Sequence, residues 1–195
     1  MPALGRYILE TASHEAVTWS PELKVAVNLS PAQIKDDGIV AEIGDTLSRS
    51  GLAPNRLEVE VTEGMLIKDT ARGIRLLTEL RELGVSVSMD DFGTGYSSLN
   101  YFRTFPFDKV KIDQSFIRDM DENPQSLAIV QAVIGLGRGL NMPVVAEGVE
   151  TIEQLRRLQA EGCDVVQGYH IGRPAMIDTF KNGTTLKKRK IAIAA

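Results

Sequence analysis

LEVEVT, residues 57–62, alternates strictly, placing Leu57, Val59 and Val61 on one face of an extended chain and Glu58, Glu60 and Thr62 on the other. VSVSMDD (85–91) repeats the pattern with Val85, Val87 and Met89 against Ser86, Ser88 and Asp90, and KVKID (109–113) with Val110 and Ile112 against Lys109, Lys111 and Asp113. In VAVNL (25–29) Asn28 lies opposite Val27 and Leu29, while PVVAEGV (143–149) and VVQGYH (165–170) carry Glu147 and Gln167 near their ends. These six β-rich runs alternate with stretches of helical spacing, which predicts an α/β fold with a mostly parallel sheet. An open sheet covered by helices on both sides favours strands that are apolar throughout. The polar faces argue instead for a (β/α) barrel, whose site is built at the C-terminal ends of its strands.

Punctuation supports the helices. Ser30-Pro31 offers an N-cap and a first-turn proline, Thr151 with Gln154 fits a capping box, and Gly51, Gly84 and Gly162 stand where C-terminal caps belong.

With 195 residues, 43% hydrophobic and 25% charged, the chain has enough apolar material for one sizeable core. Its formal net charge of −4 excludes the global basic field that draws a protein to nucleic-acid polymers or anionic membranes. Cys163 is the single cysteine, so no internal disulfide forms, and a reducing compartment is expected. His14 and His170 are too few for a structural zinc centre. No run of about 20 apolar residues and no signal-peptide pattern occurs, which predicts a cytoplasmic chain. Residues 1–180 read as one domain and 181–195 as a C-terminal tail, its basic cluster KKRK followed by IAIAA.

The inward candidates are Asn28, Glu60, Asp90 and its neighbour Asp91, Lys111, Asp113, Glu147 and Gln167: five carboxylates around one ammonium. Like charges gathered in a partly dry cavity repel one another unless cations sit among them. Oxygen donors of this kind suit hard divalent ions such as Mg²⁺ or Mn²⁺. Two such ions would clamp a phosphodiester and activate a water, with Lys111 either balancing charge on the phosphorus-bound oxygens or holding that water. Glu58 and Lys109 lie deeper in their strands and carry no assigned chemistry. DFGTGYSS (91–98) has neither the Gly-Lys-Ser/Thr of a P-loop nor a full dinucleotide fingerprint, so Gly93 and Gly95 read as conformational freedom for a loop beside the carboxylates.

Together VNLSPAQ, LEVEVTE, DDFGTGYSSL, VKID, VVAEGVET and VQGYHIGRP resemble the EAL-domain family of bacterial phosphodiesterases that linearise cyclic di-GMP. The resemblance runs in order to about residue 176. It implies a (β/α)8 TIM-barrel-like fold with Asn28, Glu60, Asp90 and Asp91 as metal ligands and Asp113 and Glu147 at the metal site. It further implies Lys111 as the catalytic lysine near the attacking water, Gln167 as a residue that orders the site, and Mg²⁺ or Mn²⁺ in a two-metal centre. Glu63 resembles the glutamate that anchors the glycine-rich loop, which in the family couples dimerisation to metal binding. The family's Glu-Ala-Leu segment is absent from these residues, and Met1–Arg6 resembles the helix after it. The expectation is therefore an N-terminally truncated barrel of about six strands with impaired hydrolysis of cyclic di-GMP to pGpG. Homodimerisation through loop 91–99 or exposed sheet edges is expected. The alternative is a catalytically inactive module that binds cyclic di-GMP or a protein.

Overall fold

The computed structural model describes residues 2–68, 70–93, 105 and 107–177. The chain divides into two compact units, the first comprising Met1–Asp90 and Gly95–Asp108, the second Asp91–Thr94 and Lys109–Ala195.

In the first unit, α1 (Pro2–Val17) buries Leu9, Ser13 and Ala16, one stripe at helical spacing. Arg56 satisfies the end of this helix and the turn after it by donating to the carbonyls of Ala16, Ser20 and Leu23 at 2.7, 3.2 and 2.9 Å. Strands β1 (Val25–Asn28), β2 (Leu57–Thr62) and β3 (Ser86–Phe92) pair in parallel. Between β1 and β2 run the short α2 (Pro31–Ile34), opened by the capping box of Ser30 and Gln33, and α3 (Ile39–Ser50), which buries Ile39, Ile43, Thr46 and Leu47 and stops at Gly51 (φ 75°). Between β2 and β3 lie α4 (Glu63–Lys68) and α5 (Thr70–Glu82), whose Leu76, Leu77 and Leu80 are buried. Gly84, with φ 86°, turns the chain back into β3.

Both faces of β2 are withdrawn from water: Leu57, Val59 and Val61 are fully buried, and Glu58 and Glu60 are buried as well. The period-two pattern thus separates an apolar side from an interior polar side, rather than core from solvent. Each buried leucine or valine contributes on the order of 2 kcal/mol relative to an exposed one.

The second unit holds β4 (Lys109–Ile112), β5 (Val144–Ala146) and β6 (Val165–Val166), again parallel. Helix α6 (Gln114–Asp119) is capped by Asp113. The longer α7 (Pro124–Leu140) starts at Asn123 and ends at Asn141, which takes the left-handed conformation (φ 54°). Helix α8 (Ile152–Glu161) opens with the reciprocal box of Thr151 and Gln154 and closes on Gly162 (φ 80°).

Strands β5 and β6 are shorter than their apolar runs because Gly148 (φ 70°) and Gly168 (φ 152°) divert the backbone just past them. The ladder nevertheless extends by single bonds, Glu147 N to Ile112 O at 3.2 Å and Gln167 N to Ala146 O at 2.8 Å. The expected α/β organisation with parallel strands is what the chain adopts.

Candidate active site

The first unit brings three of the expected residues to the C-terminal ends of neighbouring strands. Asn28 on β1 stands directly opposite Glu60 on β2, Glu60 stands opposite Ser88 on β3, and Asp90 follows two residues later on the same face. Glu60 and Asp90 are buried, whereas Asn28 is exposed. Register is what makes this cluster: shifting any strand by one residue would send its polar group to the apolar side. Glu63 heads α4 just after β2. It is buried, and both of its carboxylate oxygens are without a hydrogen-bond partner among the described residues. The loop that it is expected to anchor lies, from residue 94 onward, outside the described residues.

The second unit brings together Lys111 and Glu147. Lys111 pairs in register with Val145, so Glu147, two residues on, shares its face, and the Lys111 Nζ lies 2.6 Å from Glu147 Oε1. Lys111 is only 6% exposed and Glu147 17%, which leaves the ion pair weakly screened by solvent. Asp91 and Glu147 each offer a carboxylate oxygen, the two within 4.8 Å of one another. Asp91 holds a left-handed backbone conformation (φ 53°), which re-aims its side chain at the end of β3.

Asp113 has a defined local role. Its Oδ1 accepts the Ser115 backbone N–H at 2.9 Å and the Ser115 hydroxyl, capping α6. Gln167 lines a pocket of about 250 Å³ with Gln114, Glu147, Gly148, Glu150, Gly168 and Tyr169. Gln114, Glu150 and Tyr169 were not singled out by the sequence reading. Glu150 and Tyr169 were nonetheless within reach, since they fall inside the quoted VVAEGVET and VQGYHIGRP. The Arg173 guanidinium sits 4.7 Å from the Tyr169 ring centroid, a cation–π contact beside the pocket.

The donor set fits a hard divalent cation. In the first unit Glu60, Asp90 and the Asn28 amide offer oxygen, and in the second the close carboxylates Asp91 and Glu147 are stabilised by intervening positive charge. Cys163 is no soft competitor: burial pushes its thiol up to about 11, and its Sγ donates to the Val165 carbonyl at 3.2 Å.

The family model described as EAL domain matches residues 1–174. The chain is 49% identical over 183 residues to an uncharacterized signaling protein of Caulobacter vibrioides, covering 94% of this chain and 23% of that protein. It is 46% identical over 166 residues to the cyclic di-GMP phosphodiesterase NbdA of Pseudomonas aeruginosa, covering 85% of this chain and 20% of that one. The chain thus spans about a fifth to a quarter of the length of these relatives. Among solved structures, the PaMucR phosphodiesterase in complex with cyclic di-GMP superposes with a TM-score of 0.89 at 38% identity, over 91% of this chain and 74% of that one. BlrP1 of Klebsiella pneumoniae, with manganese and cyclic di-GMP, gives 0.81 at 32% identity over 89% of this chain and 45% of that one. With parallel strands joined through helices, these likenesses make the fold α/β of the (β/α)8 TIM-barrel-like kind.

Proposed function

The chain belongs to the EAL domain family, and from that membership we propose that it is a metal-dependent phosphodiesterase domain that hydrolyses cyclic di-GMP to linear pGpG. The observation that carries the proposal is the pair of buried Lys111 and half-buried Glu147, 2.6 Å apart, with Glu147 also lining the pocket that contains Gln167. An ammonium held beside carboxylates at strand ends suits a reaction in which negative charge builds up on phosphorus-bound oxygens.

In this reading Asn28, Glu60, Asp90, Asp91, Asp113 and Glu147 hold Mg²⁺ or Mn²⁺. Bound cations would neutralise the diester and lower the pKa of the attacking water. Lys111 orients that water and meets the developing charge, and Gln167 helps order the site. The water oxygen adds to one phosphorus, the bond from that phosphorus to the ribose 3′ oxygen breaks, and the 3′ oxygen takes up a proton. Asp113 reaches this role through the oxygen that does not cap α6.

The manganese and calcium complexes of BlrP1 with cyclic di-GMP support a divalent cation alongside that nucleotide. Homodimerisation, with Glu63 and loop 91–99 linking the partner to the site, belongs to the same proposal, as does a cytoplasmic location. No helix among the described residues is long and apolar enough to cross a membrane.

The test is a chromatographic assay for pGpG with cyclic di-GMP and Mn²⁺ or Mg²⁺. Turnover that disappears in Lys111→Ala supports the proposal. Saturable binding of cyclic di-GMP without turnover would replace it with a nucleotide-binding module, and absence of both would remove it.

A further inference from the structure

We propose that Ser88 is a positioning residue for the cation site, its hydroxyl being the donor that holds the Glu60 carboxylate in its ligating orientation when a divalent ion is bound. The inference rests on the reading of Glu60 as a ligand and adds a residue to it.

Ser88 is fully buried, and its Oγ has no hydrogen-bond partner among the described residues. A sealed hydroxyl in that condition destabilises a fold relative to an alanine of nearly the same shape. Packing alone therefore favours alanine at this position, and the hydroxyl calls for another role. A serine hydroxyl donates one hydrogen bond and accepts others, so its natural partner is an anionic oxygen.

Register limits the choice. Within the first unit, the carboxylates on the face of Ser88 are Glu60, directly across the β2–β3 ladder, Glu58, diagonally across it beside Ser86, and Asp90, two residues further along β3. Adjacent strands lie about 4.8 Å apart, whereas residues i and i+2 of one strand are separated by about 6.6 Å. The cross-strand partner is closer, and the longer glutamate side chain has the freedom to bring an oxygen to the hydroxyl. A carboxylate that binds an ion through one oxygen leaves the other as an acceptor. A donor there fixes its orientation, as outer partners of metal ligands do.

The experiment uses the full chain, with Mn²⁺ titrated calorimetrically and thermal unfolding followed without metal. Ser88→Ala should melt at or above the wild-type temperature without metal, yet bind Mn²⁺ about tenfold more weakly. Ser88→Thr, which keeps the hydroxyl, should retain most of the affinity. Wild-type Mn²⁺ affinity in Ser88→Ala would overturn the inference. So would a lower melting temperature of that variant without metal, because the residue would then be structural. Glu60→Gln separates the two levels: if it binds Mn²⁺ as the wild type does, the reading of Glu60 itself fails, whereas a loss there with no loss in Ser88→Ala removes only the role of Ser88.

Discussion

Lys111 and Glu147 meet on one face of neighbouring parallel strands, Nζ to Oε1 at 2.6 Å, because Glu147 lies two residues beyond the register partner of Lys111. A lysine this deeply buried is tolerated only beside a carboxylate. In the proposed function the same carboxylate is a cation ligand, and the contact would then link the stability of the chain to the occupancy of its site.

Replacing Lys111 by Met leaves Glu147 without its ammonium. The expected destabilisation without metal is about 2 kcal/mol, below that of a fully sealed pair because Glu147 is partly exposed. Added Mn²⁺ should restore part of that loss while turnover stays absent. Denaturant unfolding with and without Mn²⁺ measures both effects, and an unchanged midpoint in Lys111→Met would show that the pair carries no stability.

Asp91 combines a charge with a left-handed backbone (φ 53°), and two substitutions separate these properties. Asn tolerates that conformation, so Asp91→Asn should fold as the wild type does while its Mn²⁺ affinity falls by an order of magnitude or more. Asp91→Ala should lose the same affinity and about 1 kcal/mol of stability besides. Equal melting temperatures for the two variants would contradict the backbone part of this argument.

Gly168 is confined by its surroundings, since a Cβ there would stand 2.2 Å from the Val149 nitrogen and 2.3 Å from its oxygen, at a φ of 152°. Backbone cannot yield as a flexible side chain does. Gly168→Ala should therefore destabilise by about 2 kcal/mol or more and displace Gln167 and Tyr169 from the pocket. Thermal unfolding gives the first effect, and weakened nucleotide binding the second.

Cys163 gives a pH prediction. Burial favours the neutral thiol and pushes its pKa up to about 11. Alkylation by iodoacetamide should be slow at neutral pH and accelerate only as pH approaches that value, unlike an unfolded-peptide control, which reacts near its ordinary pKa of about 8.5. The folded chain keeps the proton over a range in which the unfolded chain has lost it. The stabilising contribution of this group is thus complete below about pH 8.5 and is lost as pH rises through about 11. Fast alkylation of the folded protein at pH 7.5 would contradict the raised pKa of this half-buried thiol.

Elements set by neighbours in sequence were legible from the chain alone. The alternation of LEVEVT identified β2 residue for residue, Ser30 formed the expected N-cap, to which the structure adds a reciprocal bond from Gln33, and Thr151 with Gln154 formed the expected capping box. The apolar runs at 143–149 and 165–170 were read as longer strands than exist. Hydrophobicity does not report the positive φ of Gly148 and Gly168, which ends the regular ladder early. The cap formed by Asp113 was equally local, through Ser115 two residues on, yet its carboxylate drew attention for its charge alone.

By itself the sequence determined which residue types share a strand face and where helices begin and end, because both depend on backbone periodicity and on hydrogen bonds spanning a few residues. It thereby placed Asn28, Glu60, Asp90, Lys111 and Glu147 at the polar ends of strands. Only the tertiary structure decided that Asn28 faces Glu60 and Glu60 faces Ser88, that Lys111 reaches Glu147, and that Glu150 and Tyr169 share a pocket with Gln167. Those relations follow from the register between strands distant in the chain, which is fixed when their apolar faces pack together and which no local pattern encodes.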